Sequence, residues 1–284
     1  MKLLLVVVIA LAMAVSGAAD TYVTEDITTD TTWDLAGSPY ILYDVIEVLS
    51  GSTLTIDPGV AVKLDSIASL RTTTGSPIVA VGSPGNEILF TSAADEPAPY
   101  DWWAIYAHGP SASVFTHCVF EYGRYNMYCD GCDATISDCV SRYSYITGFN
   151  CEDASPTITG CETVYNREGI GVSGGSPVIT DCEITENETG LVVEGSISHP
   201  VIHNCNVYDN STANMRVSGY EVRPPIVVLD AESNWWGVDT ALEIEATIDI
   251  ATASMGFVEV DYDPWLHEVP VEESSWGRVK ALYR

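Results

Sequence analysis

Apolar residues in this chain fall in short alternating runs rather than at helical spacing, and the runs repeat. Residues 156–175 read PTITGCETVYNREGIGVSGG and residues 177–196 read PVITDCEITENETGLVVEGS, identical at nine of twenty positions. Stretches such as Val178-Ile179-Thr180, Cys182-Glu183-Ile184 and Gly190-Leu191-Val192-Val193 are too short for helices and rich in β-branched residues, so they predict strands bounded by turns. Cysteines carry the register: Cys118, Cys139, Cys161, Cys182 and Cys205 stand 21, 22, 21 and 23 residues apart.

The aligned columns then divide the unit. Three residues before each Cys stand Phe115, Ile136, Ile158, Ile179 and Ile202, and two after it Phe120, Ser141, Thr163, Ile184 and Val207, mostly apolar and therefore inward. Immediately before the Cys come His117, Asp138, Gly160, Asp181 and Asn204, residue types that tolerate a left-handed backbone, so this column predicts a tight corner between strands. Five residues after the Cys, Asn166, Asn187 and Asn210 align as stacked turn amides. A unit of this size cannot bury its own apolar face, whereas stacked units bury a continuous core.

The pattern I-x-[ND]-C-x-I-x-x-N-x-x-G-[IL]-x-V, as it stands in Ile179 to Val193, resembles the repeat of exported bacterial right-handed parallel β-helix proteins of the pectate-lyase-like superfold. Thr32-Trp33, Ser52 to Lys63, Ile88 to Ser92 and Trp102 to Ile105 resemble the opening coils of that group, and Ser233 to Gly237 and Val260 to Leu266 its closing segment. The resemblance implies an all-β solenoid of roughly ten coils with capped ends, about 45 Å long at the usual strand spacing.

Residues 20–266 are thus expected to form one β-helix domain. Ahead of them, residues 3–15 are uninterruptedly apolar behind Lys2 and end in small residues, which predicts a signal peptide over 1–19. Behind them, residues 267–284 leave the repeat. Trp276, Val279 and Tyr283 fall at helical spacing beside Arg278, Lys280 and Arg284, which suggests a sorting or docking tag, against a frayed tail or a lid on the last coil. No segment after the signal is a transmembrane candidate.

Composition narrows the partners. Of the 284 residues, 40 are acidic and 11 basic, giving a net charge of -29. Such a field repels phosphate backbones, which argues against nucleic acid. The 46% hydrophobic content argues against disorder. The acidity fits either Ca2+ binding or solvation in a salty medium.

The eight cysteines would ordinarily suggest a disulfide framework in an exported chain. Five share one column and Cys129 and Cys151 share another that Val172 and Val193 continue, which favours buried thiols in an apolar ladder; stacked neighbours are nonetheless close enough to bridge. Cys129 and Cys132 form a lone C-x-x-C, weak support for zinc or redox chemistry. Many β-helices act on polysaccharides, yet the N-x-D, D-D and G-H-G of polygalacturonase-like hydrolases are absent, as are the D-P-H of alginate epimerases and the W-x-D-H of pectin-lyase-like enzymes.

What remains is an outward polar cluster. Arg124, Arg142 and Asp153 are the catalytic candidates, with Arg167 nearby, because a lyase needs a base and a cation against its uronate. Asp130, Asp133, Glu152 and Asp153 are the candidate Ca2+ ligands. Tyr122, Tyr125, Tyr128, Tyr143 and Tyr145 crowd three successive turns and are candidate glycan-binding residues, since aromatic faces bury apolar area beside a polar handle. The reading favoured is a secreted or cell-surface module, non-catalytic, serving extracellular structure, adhesion or glycan binding, with a polysaccharide partner. The alternative is a polysaccharide lyase or glycoside hydrolase.

Overall fold

The computed structural model describes residues 20–49, 51–220, 226–251, 254 and 257–266; the expected signal peptide and tail lie outside them. The chain winds as a parallel β-solenoid with three sheets of nine, nine and ten strands. Each coil contributes one strand to each. In the repeat region the first sheet contains Cys118–Glu121, Val140–Arg142, Glu162–Val164, Glu183–Thr185 and Asn206–Tyr208. The second contains the longer strands Tyr125–Asp130, Thr147–Glu152, Glu168–Gly175, Thr189–Ser198 and Ala213–Ser218. The third contains Val114–Thr116, Thr135–Ser137, Thr157–Thr159, Val178–Thr180 and Val201–His203. The sheets thus close about nine coils, close to the roughly ten expected from the repeat.

Register is nearly strict, which makes every column of the sequence a ladder. Phe115, Ile136, Ile158, Ile179 and Ile202 are consecutive partners in the third sheet. Met127, Phe149, Ile170, Leu191 and Met215 do the same in the second, next to Cys129, Cys151, Val172, Val193 and Val217. All of these point inward and are buried, so the three ladders meet in one core. Near its upper end that core is aromatic: Phe90 and Phe120 stack at 4.9 Å, and Phe115 and Phe149 pack edge-on against them.

Two of the corners carry a left-handed residue in each of the five repeat coils. Between the third and first sheets it is His117, Asp138, Gly160, Asp181 or Asn204, with φ of 48, 51, 62, 56 and 56°. Between the first and second sheets it is Tyr122, Tyr143, Tyr165, Glu186 or Asp209, with φ of 70, 57, 58, 55 and 53°. This second column is unexpected, because bulky side chains rarely adopt that backbone.

Just past it lies the amide ladder. Asn187 Oδ1 accepts from the Asn166 backbone N–H at 3.0 Å and its side-chain amide at 3.1 Å, and Asn210 Oδ1 accepts the equivalent pair from Asn187 at 3.1 and 3.2 Å. The ladder runs on upward to the Ser144 N–H and downward through Asn214 to the Trp236 carbonyl. It holds the turn so tight that a Cβ on Gly169 would sit 2.6 Å from the Gly190 carbonyl oxygen, and one on Gly190 2.6 Å from that of Asn214. The glycine of the repeat motif is therefore required by close approach, not by its φ.

All eight cysteines are buried and unbridged. In the five-residue column the thiols of Cys139, Cys161, Cys182 and Cys205 donate to carbonyls two residues upstream at 3.2–3.3 Å. Burial pushes the Cys139, Cys151 and Cys161 thiols up, so they are neutral small hydrophobes in the core.

The ends are covered differently. Trp33 and Tyr40 stack at 4.8 Å over the first coil. At the other end Trp236 is buried and the helix Ala241–Thr247 lies over the core through Ile244. The Thr240 hydroxyl caps it by accepting from the Glu243 N–H at 3.3 Å.

Candidate functional site: an aromatic corner with an arginine

The coils just ahead of the regular ones are longer, the first of them 28 residues from Ala61 to its strand partner Leu89. Ile88 is the strand partner of Cys118, so one coil is 30 residues long where its successors are near 21. The extra residues form a loop around 93–101 on the corner between the first and second sheets. In a solenoid such insertions collect on a functional face. The loop delivers Tyr100, at φ 79°, onto Tyr145 two coils below; the rings stack at 5.1 Å and are 44% and 50% exposed.

Arg124 lies against this pair. Its guanidinium carbon is 4.3 Å from the Trp103 ring centre, 5.4 Å from that of Tyr100 and 5.6 Å from that of Tyr125. Cation–π attraction of this kind is worth about 0.5–2 kcal/mol per contact and holds the guanidinium against the rings. Its Nε is buried without an acceptor, and among the described residues no carboxylate ion-pairs with it.

The remaining tyrosines form two ladders. Tyr122, Tyr143 and Tyr165 stack along the left-handed corner at 5.2 and 5.5 Å, so their faces are spent on one another. On the outer face of the second sheet Tyr106 stacks on Tyr128 at 5.0 Å beneath Arg71. The Tyr106 hydroxyl donates to Asp130 at 2.6 Å, and His108 Nδ1 lies 2.9 Å from the same carboxylate oxygen. Burial, then the bond to Asp130, pushes the Tyr106 phenol up. The Tyr128 hydroxyl donates to Glu152, strand partner of Asp130.

The acid and base candidates are engaged rather than poised. Arg142 binds Glu121 through Nε at 2.8 Å and Nη2 at 2.7 Å, and Glu121 also accepts from Thr91 at 2.8 Å, in a largely buried network. Asp153, at φ 46°, belongs to a third corner column with Gly131 and Gly174, and its carboxylate fills the space a Cβ on Gly174 would need. Asp133 and Arg167 are exposed. Among the described residues no group of three or more His, Cys, Asp or Glu is arranged to hold a metal ion, so Asp130, Asp133, Glu152 and Asp153 are not brought together as a Ca2+ cage. Three site residues, Tyr100, Trp103 and Tyr106, were missed by the sequence reading; the 30-residue coil was the signal that pointed to the first two.

A family model for a right handed beta helix region matches residues 103–224. No curated protein and no solved structure matches the chain. No described helix is long and apolar enough to cross a membrane. The matched span holds the regular repeats of one continuous three-sheet coil, and the chain folds as a right-handed parallel β-helix.

Proposed function

We propose that this protein is an exported, non-catalytic β-helix module that binds an extended extracellular glycan at the Tyr100–Arg124–Tyr145 corner. The observation that carries the reading is Arg124. In a chain with 40 acidic residues, a half-buried guanidinium set against three aromatic rings and ion-paired to no described carboxylate keeps donors for a ligand. Sugar hydroxyls or a uronate carboxylate suit those donors, and the exposed Tyr100 and Tyr145 faces suit the apolar side of a pyranose. The stacked Tyr122–Tyr143–Tyr165 ladder lies along the same flank, beside a chain that would run parallel to the rod. The runner-up, cleavage of that glycan, comes with the fold alone.

Binding to a panel of neutral and acidic polysaccharides tests this, with reducing-end release read on the same samples. The expected result is retention of at least one polysaccharide without new reducing ends, weakened tenfold or more by Arg124→Ala and by Tyr145→Ala. Equal binding by parent and variants would overturn the assignment of the corner, and turnover would move the protein to the enzymes.

A further inference from the structure

The outer face of the third sheet has no part in the proposed glycan corner. Its side chains fall in two columns. In the first, Val114, Thr135, Thr157, Val178 and Val201 are consecutive strand partners, and Thr32, Thr55 and Val79 continue the column upward. In the second, Val81, Thr116, Ser137, Thr159 and Thr180 stand in the same register. Every one of these residues is Val, Thr or Ser, and none is buried. The strip therefore carries no charge over eight strands, in a chain with 40 acidic residues. The other sheets differ: Glu162 and Glu183 stand on the outer face of the first, and Glu152 and Glu194 on that of the second. Asp57 bounds the strip at one end and the His203–Asp230 pair at the other.

We propose that this strip binds the surface of ice. Three properties select an ordered lattice of water as its partner. First, rigidity: Val and Thr are stiff at χ1 and sit on strands paired to both neighbours, so the array gives up little entropy on binding. Second, spacing: methyl and hydroxyl groups recur at about 4.8 Å along the rod and about 6.7 Å across it, both close to oxygen repeats on the prism planes of ice. In the second column the Thr116 and Ser137 hydroxyl oxygens lie 2.9 Å apart, and Thr180 donates to Thr159 at 3.1 Å, so side-chain oxygens already form hydrogen-bonded rows along the rod. Third, charge and area: a fixed charge would order water around itself against the lattice, and the strip has none. Eight strands by three residues make roughly 400 Å², half of the about 800 Å² that each side of a stable protein interface supplies. A second copy would also bring its own net charge of -29. A neutral partner that is itself periodic meets every coil alike, so the weak contacts of all the coils add.

Slow growth of ice from a solution of the full chain tests this, with protein measured in the ice and in the remaining liquid, and with the rate of ice recrystallisation read on the same samples. The parent is expected to concentrate in the ice and to slow recrystallisation. Thr157→Lys and Val178→Lys place a charge in the middle of the strip on side chains that face solvent, and each should lower partition into ice at least tenfold at an unchanged melting temperature. Leu242→Lys makes the same change of charge on the exposed side of the terminal helix and should partition as the parent does. Exclusion of the folded parent from ice, or equal partition of the three lysine variants, would overturn the proposal. So would a concentration-dependent dimer in sedimentation that Thr157→Lys dissociates, which would give this face to a second copy.

Discussion

Asn187 is the position where the turn ladder is best tested. It is 2% exposed, and its amide nitrogen lies 2.9 Å from the Thr163 carbonyl, 3.0 Å from that of Thr185 and 3.2 Å from Asn210 Oδ1. Asn187→Ala leaves the Asn166 N–H, whose acceptor is Asn187 Oδ1, orphaned inside the coil. One orphaned donor costs about 1–3 kcal/mol, and two or three further lost bonds about 1 kcal/mol each, so about 3–6 kcal/mol in all. Asn187→Asp is nearly isosteric but replaces the donor with a carboxylate facing three oxygens. Its folded pKa is therefore expected above the unfolded value, so the variant should be more stable at pH 4 than at pH 7 relative to the parent, the difference being lost as pH rises through the folded value. Urea unfolding followed by circular dichroism at both pH values measures this, provided the m-value is unchanged. A loss below about 1 kcal/mol for the alanine variant, or an aspartate variant as stable as the parent at pH 7, would refute the ladder as a source of stability.

Other consequences are equally direct. Arg142→Ala breaks a largely buried pair and strands Glu121, so it should lower stability by about 3–5 kcal/mol, seen as a fall in melting temperature; an unchanged melting temperature would return Arg142 to the list of solvent-facing candidates. The eight thiols should resist a thiol-specific chromogenic reagent in the native state and react together on unfolding, and fast native labelling would contradict their burial. Burial pushes Tyr208 and Tyr220 up to about 12, so in an ultraviolet titration they should ionise after the exposed tyrosines. Because the folded values lie above the unfolded one, their contribution is complete below pH 10 and is lost between 10 and about 12; a native absorbance titration complete by pH 11 would contradict it.

The sequence by itself determined the architecture. A period near 21 with small or turn-forming residues before each cysteine forces short parallel strands, because only stacked coils bury faces this narrow, and the cysteine, isoleucine and asparagine columns map onto ladders one for one. The terminal helix, which the repeat pattern does not foreshadow, starts at Thr240, whose hydroxyl accepts from the Glu243 N–H. The surface was decided by tertiary structure. Tyr122 and Tyr143 read as exposed rings, but nothing in a tyrosine announces a left-handed corner where strand spacing stacks each ring on the next, Tyr165 included. Arg142 and Arg124 look alike in the chain. Register sets one opposite Glu121 and neutralises it, while an inserted loop closes aromatic faces around the other and leaves its charge to the solvent side. Periodicity reports what each residue faces along its own strand; partners across coils depend on register and on insertions, which only the wound chain brings into contact.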